Sequence, residues 1–169
     1  MYKRTLTLGG VAAAVAAAVV LTACSPMAPR AQGGPATNAT TASQLAANKK
    51  NAVDFYNQFF NQHDLSAATR YISDTTYIQH NPHVPNGRDA FVAAFTQIFK
   101  QYPQRQSTIK AVMGEGNLVA LHVHSVNGPG DRGSAIVDIF RFDDSGKIVE
   151  HWDVMQPIPE TTASGNGMF

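Results

Sequence analysis

Cysteine and charged residues are scarce in this sequence, and each shortage excludes a class of protein. With one Cys in 169 residues, the chain forms no internal disulfide and carries no Cys-rich zinc site. Charged residues make up 15%, and Lys plus Arg total 13 against 12 for Asp plus Glu, so no basic surplus indicates nucleic-acid binding. Hydrophobic residues still reach 44%, which excludes a disordered or collagen-like chain.

The N-terminus has the pattern of an export signal. Lys3 and Arg4 form a basic start, and residues 8–21 are almost wholly Ala, Val, Leu and Gly, a run too short to span a bilayer. The run ends in Leu21-Thr22-Ala23-Cys24, which resembles the lipobox of bacterial lipoproteins. The resemblance implies that Cys24 is lipidated and anchors the exported chain to the cell envelope, at the outer membrane or periplasmic face of a Gram-negative cell. The alternative is a buried helix that ends in an incidental Cys.

Composition divides the chain into four parts. Residues 1–23 are predicted to be a lipoprotein signal peptide, and residues 24–43, rich in Pro, Gly, Ala, Ser and Thr, are predicted to be the lipidated Cys and a flexible tether. Residues 44–158 form the expected folded domain. Residues 159–169 are small and polar and are predicted to be a disordered tail.

Within the domain, helical patterns come first and strand patterns follow. Apolar residues recur at helical spacing after Ser43, after Asp64 and after Asp89, which are predicted to cap three helices. Four strands are then predicted, over residues 108–113, 118–126, 134–142 and 147–155. Turn sequences separate the first strand from the second and the third from the fourth. The order predicts an α+β domain with one antiparallel sheet.

Two motifs carry a family resemblance. Tyr77-Ile78-Gln79-His80-Asn81-Pro82, and the hairpin from Asp138 to Asp153 with its Gly146-Lys147 turn, resemble the SnoaL-like polyketide cyclase branch of the nuclear transport factor two-like superfamily. The resemblance covers roughly residues 44–156. It implies a cone in which a strongly curved antiparallel sheet wraps three N-terminal helices and encloses a pocket. It also implies a homodimer, and a site that works without cofactor.

Polar residues that point into an apolar cone indicate a functional site, because a buried charge or imidazole needs a partner. By two-residue alternation, His122 and His124 share a face with Ala120, and Asp138 shares a face with Phe140. The family motif places a pocket carboxylate at Asp153. The predicted catalytic residues are therefore Asp153, Asp138, His122 and His124, and the predicted ligand-binding residues are His80, Asn81, Phe140 and Ala120.

These residues suggest acid/base chemistry. An apolar pocket favours the neutral form of a carboxyl group and so suits it to take a proton next to a carbonyl; Asp153 is the predicted base, with His122 or His124 as the electrophile. Structural readings stay open: Asp138 and His122 could satisfy each other, His124 could be a solvated rim residue, and His151 is expected on the outer or subunit-contact face. Four His residues could in principle bind a metal, but we predict no metal site.

The predicted function is therefore an exported lipoprotein with a SnoaL-like pocket. As an enzyme, it would perform aldol-type cyclisation or isomerisation of a small carbonyl compound, without metal or organic cofactor. The alternative is a non-catalytic binding module for a small hydrophobic ligand. The expected partners are that small molecule, the membrane through the N-terminal lipid, and a second copy of the chain, but not nucleic acid.

Overall fold

The computed structural model describes residues 41–169. The predicted signal peptide, Cys24 and all but the last three residues of the predicted tether therefore lie outside the described residues. Between residues 41 and 169, no helix is both long enough and apolar enough to cross a bilayer.

Three helices precede the main strands, as predicted. Helix α1 runs over Ala42–Phe55 and continues into a π-helical segment, Tyr56–Asn61. Helix α2 covers Ala67–Tyr71 and helix α3 covers Arg88–Gln101. The π-helical segment buries three aromatic rings in its six residues, and such segments often occur at functional sites.

The helix starts differ slightly from the predicted caps. Thr41, not Ser43, caps α1, and its side chain accepts from the backbone N–H of Gln44. Gly87, not Asp89, precedes α3 with a φ of 99°, which only glycine adopts without strain. Polar residues cluster at each start, so composition locates a cap only to within a few residues.

Five strands form one curved open sheet. The strands are β1 (Ile78–Gln79), β2 (Gln106–Glu115), β3 (Leu118–Val126), β4 (Ser134–Phe142) and β5 (Ile148–Pro157). Their order is β1-β5-β4-β3-β2. Strands β2 to β5 pair antiparallel, while the short β1 pairs parallel with β5. The predicted α+β cone, with a curved antiparallel sheet and N-terminal helices, is confirmed.

The core is built largely from phenylalanine. Phe55 and Phe59 on the first helical segment have no exposed surface. Phe59 stacks on Phe91 of α3 with ring centroids 4.9 Å apart, and Phe55 meets Phe140 of β4 edge to face at 6.0 Å. Each such ring contributes about 1.5–3 kcal/mol through burial, so this cluster fixes the helices against the inner face of the sheet.

Strand register separates an inner from an outer face. Across β3, β4 and β5, Leu121 lies beside Asp138, which lies beside Asp153. The next inner row is Val119, Phe140 and His151. Because side chains alternate along a strand, the intervening residues of all three strands face outward.

Candidate functional site

A cavity of about 280 Å³ lies within the cone, between α3, the π-helical segment and the inner face of the sheet. Its walls are mostly aliphatic and aromatic, with a small group of polar side chains among them. The lining residues used below are Tyr56, Gln79, Asn81, Ile98, Arg105, Asn127, Ile136, Asp138, His151, Asp153 and Met155. An apolar cavity with a few converging polar groups is the usual form of a small-molecule site.

A carboxylate–imidazole pair is buried in this cavity. Asp138 on β4 and His151 on β5 are each 5% exposed, and His151 Nε2 lies 2.9 Å from Asp138 Oδ1. The hydroxyl of Tyr56 donates to the other Asp138 oxygen at 2.8 Å. The Phe140 ring stacks on the imidazole with centroids 5.1 Å apart. Hydrogen bonds and packing therefore fix both members of the pair.

The hydrogen bonds also determine how many protons the pair holds. Gln79 Oε1 accepts from the backbone N–H of Asn81 at 3.0 Å, so the oxygen of this amide is the atom 2.8 Å from His151 Nδ1. Nδ1 must therefore carry a hydrogen. Since Nε2 faces a carboxylate oxygen, one further proton lies between His151 and Asp138. We call it the shared proton of the pair, because it lies in the hydrogen bond between them.

A second carboxylate lies beside the pair. Asp153 is half-buried on β5, and Asn81 donates its side-chain N–H to Asp153 Oδ2 at 2.6 Å. Asn81 Oδ1 accepts from the backbone N–H of His83 at 2.8 Å, which fixes the orientation of the amide. Within residues 41–169, Asp153 Oδ1 has no hydrogen-bond partner in the structure, so that oxygen remains available to a ligand.

Burial keeps the neighbouring phenols protonated. It raises the pKa of Tyr56 well above the usual tyrosine range, and the negative charge of Asp138 and the hydrogen bond to it raise this pKa further. Burial also raises the pKa of Tyr77, with a smaller contribution from Asp138. Tyr56 is therefore a permanent hydrogen-bond donor to Asp138 at physiological pH.

The structure corrects the predicted positions of three β3 residues. His122, His124 and Ala120 lie on the outer face of the sheet, and none of them lines the cavity. The buried face of β3 carries Val119, Leu121, Val123 and Ser125 instead. Both alternating sets contain apolar residues, so alternation alone could not identify the inner one; the bulkier Val-Leu-Val set packs in the core. The suggested His122–Asp138 pairing is also wrong, because Asp138 bonds His151.

The outer-face histidines contact the C-terminus. The Phe169 ring lies 5.1 Å from His122 and 5.0 Å from His124, measured between ring centroids. His124 Nε2 also lies 2.8 Å from the backbone oxygen of Arg132. The last residue of the predicted tail, 159–169, is thus packed on the sheet.

His80 and Phe140 are likewise not cavity-lining residues. His80 stacks on Trp152 with centroids 4.8 Å apart and bonds Glu150 at 2.9 Å, both on the outer side. Phe140 is core and supports the His151 ring from behind. Of the predicted site residues, the cavity brings together Asp138, Asp153 and Asn81.

The prediction that His151 lies on the outer or subunit-contact face is wrong. It alternates in phase with Asp153 along β5, which places both side chains in the cavity. The same phase is readable from the sequence, so alternation could have identified this residue. No comparable signal identifies Tyr56, Gln79 or Arg105, because their contacts span elements that are distant in sequence.

The same cluster has the residue types of a metal site. Asp138, His151 and Asp153 each offer a ligand atom, and these atoms lie within 4.8 Å of one another. His151 Nδ1–H is bonded to an oxygen, as in many metal-bound histidines. A cation at Nε2 would have to displace the proton shared with Asp138. The absence of a metal therefore remains a prediction.

Comparison with known proteins identifies the family. The model of the SnoaL-like domain matches residues 52–151, which is more than half of the chain. The chain belongs to the SnoaL-like domain family. The matched range of this SnoaL-like domain contains Tyr56, Gln79, Asn81, Asp138 and His151, and ends two residues before Asp153. No curated protein matches the chain.

Solved structures share the fold of this SnoaL-like domain. TsrD from Streptomyces laurentii superposes with a TM-score of 0.54 at 19% identity, over 66% of this chain and 89% of TsrD. A candidate polyketide cyclase from Acidithiobacillus ferrooxidans gives 0.56 at 14% identity, over 65% and 88%. AclR from Streptomyces galilaeus, a candidate hydroxylase, gives 0.52 at 26% identity, over 66% and 90%.

Proposed function

We propose that the cavity is an acid/base site that removes a proton next to the carbonyl group of a small hydrophobic molecule, without metal or organic cofactor. The observation that carries the proposal is the position of Asp153. Its carboxylate lies within 4.8 Å of the buried Asp138–His151 pair, in a cavity with mostly apolar walls. A base and a proton donor thus lie side by side where little water competes.

The arrangement assigns a role to each group. Asp153 takes the proton through Oδ1, while Asn81 holds Oδ2. The proton shared by Asp138 and His151 must then leave the hydrogen bond within the pair and turn to the oxygen of the developing enolate, whose growing negative charge competes with Asp138 Oδ1 for it. Tyr56 and Gln79 are positioning residues, because they hold the carboxylate and the imidazole in place. The enolate can be reprotonated elsewhere, which is isomerisation, or attack a second carbonyl, which is aldol-type closure.

One observation favours a second function, that of a non-catalytic binding module. Both oxygens of Asp138 and both nitrogens of His151 are already bonded within the protein. A buried network whose hydrogen bonds are all satisfied can have a purely structural role, in which it rigidifies the pocket. In that case the cavity binds a small hydrophobic molecule and leaves it unchanged.

Substitution at Asp153 separates the two functions. Thermal-shift screening of carbonyl-containing and steroid-like compounds supplies ligands, and turnover assays follow on each. For an enzyme, Asp153→Asn lowers turnover about a hundredfold or more, since general-base catalysis contributes that much. For a binding module, nothing turns over and the affinity changes modestly. The matched control is His122→Gln on the outer face. Full activity in the Asp153→Asn, Asp138→Asn double variant would overturn the mechanism.

The location and the assembly belong to the same proposal. The Leu21–Cys24 sequence supports export with Cys24 lipidated, and Cys24→Ser should then leave an unlipidated form. Unchanged mobility and membrane association of that variant would contradict it. A homodimer through the outer sheet face is supported by the exposed side chains of Met113 and Val154, which the strand register places on that face. A strict monomer by light scattering would contradict this second part.

A further inference from the structure

Arg105 contributes a cation to the apolar cavity. It directly precedes β2, and it is the only Lys or Arg among the described residues that line the cavity. Burial lowers its pKa from the usual arginine value, and nearby acidic groups partly offset this effect. A guanidinium nevertheless keeps its charge in proteins. The cavity wall therefore carries a fixed positive charge.

This guanidinium is only partly satisfied. Nη1 donates to Asn127 Oδ1, but neither Nε nor Nη2 has a hydrogen-bond partner among residues 41–169, and Nε is buried. No carboxylate of the described residues lies within salt-bridge distance of Arg105. Asp131 cannot easily supply one, because its oxygens accept from the backbone N–H groups of Asn127 and Gly133. A partly buried cation without a counterion is costly unless a ligand supplies the charge.

Strand register places Arg105 at one end of the cavity. It lies where β2 begins and β3 ends, since Gln106 pairs with Val126. On β4 and β5 the Asp138–Asp153 pair lies further in, and the Ile136–Met155 pair follows it toward this end. Two residues along a strand span about 7 Å. A molecule lying on Ile136 and Met155 can therefore reach Asp153 with one end and the guanidinium with the other.

A second, polar recess meets the cavity at the same residue. It measures about 260 Å³, and Arg105, Asn127 and Met155 line both spaces. The recess also contains Ser125, Ser134 and the carboxylate of Asp131, whose oxygens accept from backbone N–H groups. Arg105 thus stands between the apolar cavity and a polar recess, where the charged end of a mainly apolar ligand would be best solvated.

Arg105 and Asp153, two charged side chains of the cavity, do not pair with each other. Arg105 is positive and Asp153 is negative, while the Asp138–His151 pair with its shared proton has no net charge. A ligand carboxylate beside Arg105 is separated from Asp153 by the Ile136–Met155 pair, which limits their repulsion. A second anionic group of the ligand, placed near Asp153, would be repelled by that carboxylate and would have no cation beside it. The charge pattern therefore selects one acidic group, at one end.

We propose that the ligand of this cavity is a hydrophobic monocarboxylate, held at its acidic end by Arg105 and with its carbonyl-bearing part toward Asp153. The inference rests on the proposed function for the position of the carbonyl, but the charge preference can be tested without turnover. Arg–carboxylate hydrogen bonds are strong and geometrically specific. Arg105 is therefore a specificity-determining residue for substrate class.

The test compares an acid with its neutral counterpart on the full chain. Isothermal titration calorimetry with 2-naphthoate and 2-naphthamide measures the affinity for each, in the wild type and in Arg105→Met. We expect wild type to prefer 2-naphthoate by about tenfold or more, since a hydrogen bond to a charged group contributes that much. Arg105→Met should abolish this preference while leaving 2-naphthamide binding within about twofold. Arg132→Gln, at an exposed arginine outside the cavity, is the matched control.

Several outcomes would overturn the inference. They are equal wild-type affinity for both compounds, no binding of 2-naphthoate at millimolar concentration, or a preference for the acid that survives in Arg105→Met. Arg105→Lys controls for misfolding, because it keeps the positive charge and should retain a reduced preference for the acid. An equal loss of affinity for both compounds in both variants would also count against the proposal. Because no chemistry is measured, these results are independent of whether Asp153 is a base.

Discussion

Replacing Tyr56 by Phe tests the buried network directly. The substitution removes one hydroxyl, which donates to Asp138 Oδ2 at 2.8 Å, from a residue that is 3% exposed. The ring remains, so no cavity beyond one oxygen is created. What is lost is a hydrogen bond to a buried carboxylate, and an unsatisfied buried partner costs about 1–3 kcal/mol. We expect the free energy of unfolding to fall by that amount in urea titrations monitored by circular dichroism.

A control and a double-mutant cycle make this test specific. Tyr71→Phe removes a half-buried hydroxyl that accepts from Gln58 at 2.9 Å; this neutral bond should cost no more than about 1 kcal/mol. In the cycle with Asp138→Asn, residues in one network should couple by about 0.5–3 kcal/mol. A Tyr56→Phe cost below about 0.5 kcal/mol, or strict additivity with Asp138→Asn, would refute the network.

Three other tests address the surface, the cavity wall and a turn. Burial would raise the pKa of Glu150, but hydrogen bonds from an arginine and a histidine outweigh burial and lower this pKa below 4.5. The ionised carboxylate therefore stabilises the fold above pH 4.5, and this stabilisation is lost as the pH falls below that value. The Tm difference between wild type and Glu150→Gln should shrink between pH 6 and 3, and a constant Tm difference would contradict this. In calorimetry, Ile98→Trp should block ligand binding, whereas Ala120→Trp on the outer face should not. If the two substitutions reduced the ligand affinity equally, the assigned position of the cavity would be wrong. Gly130→Ala should lower the free energy of unfolding in urea by about 1–2 kcal/mol, because the residue has a positive φ. Gly133→Ala should lower it distinctly more, because the added Cβ would lie 2.0 Å from a β3 carbonyl oxygen. Equal losses of stability in the two variants would contradict this close contact.

The fold was predictable because its signals are local and mutually consistent. The predicted strands 118–126 and 134–142 have the observed ends, and the predicted strand 147–155 differs from β5 by one residue at its start and two at its end. Turn residues limit each of them. The two-residue strand β1 is too short for a periodic signal, and its parallel pairing with β5 depends on tertiary contacts.

The site was only partly predictable, because it depends on which face of β3 is buried. On β4 the bulkier apolar residues Ile136, Phe140 and Phe142 share a face with Asp138, and the structure places that face inside. On β3 both faces carry apolar residues, so the prediction that His122 and His124 lie inside is wrong. Tyr56 could not be predicted as a site residue, because nothing in the sequence links its hydroxyl to a residue 82 positions later.

Deuterium exchange tests the central claim, that this cavity removes a proton next to a carbonyl through Asp153. The probe is 2-tetralone in D₂O, and the rate of α-proton loss is followed by NMR with the full chain present. The account predicts exchange above the protein-free rate in wild type and in His124→Gln, and a loss of about a hundredfold or more of that catalysed rate in Asp153→Asn. Exchange that proceeds equally fast in Asp153→Asn would contradict it.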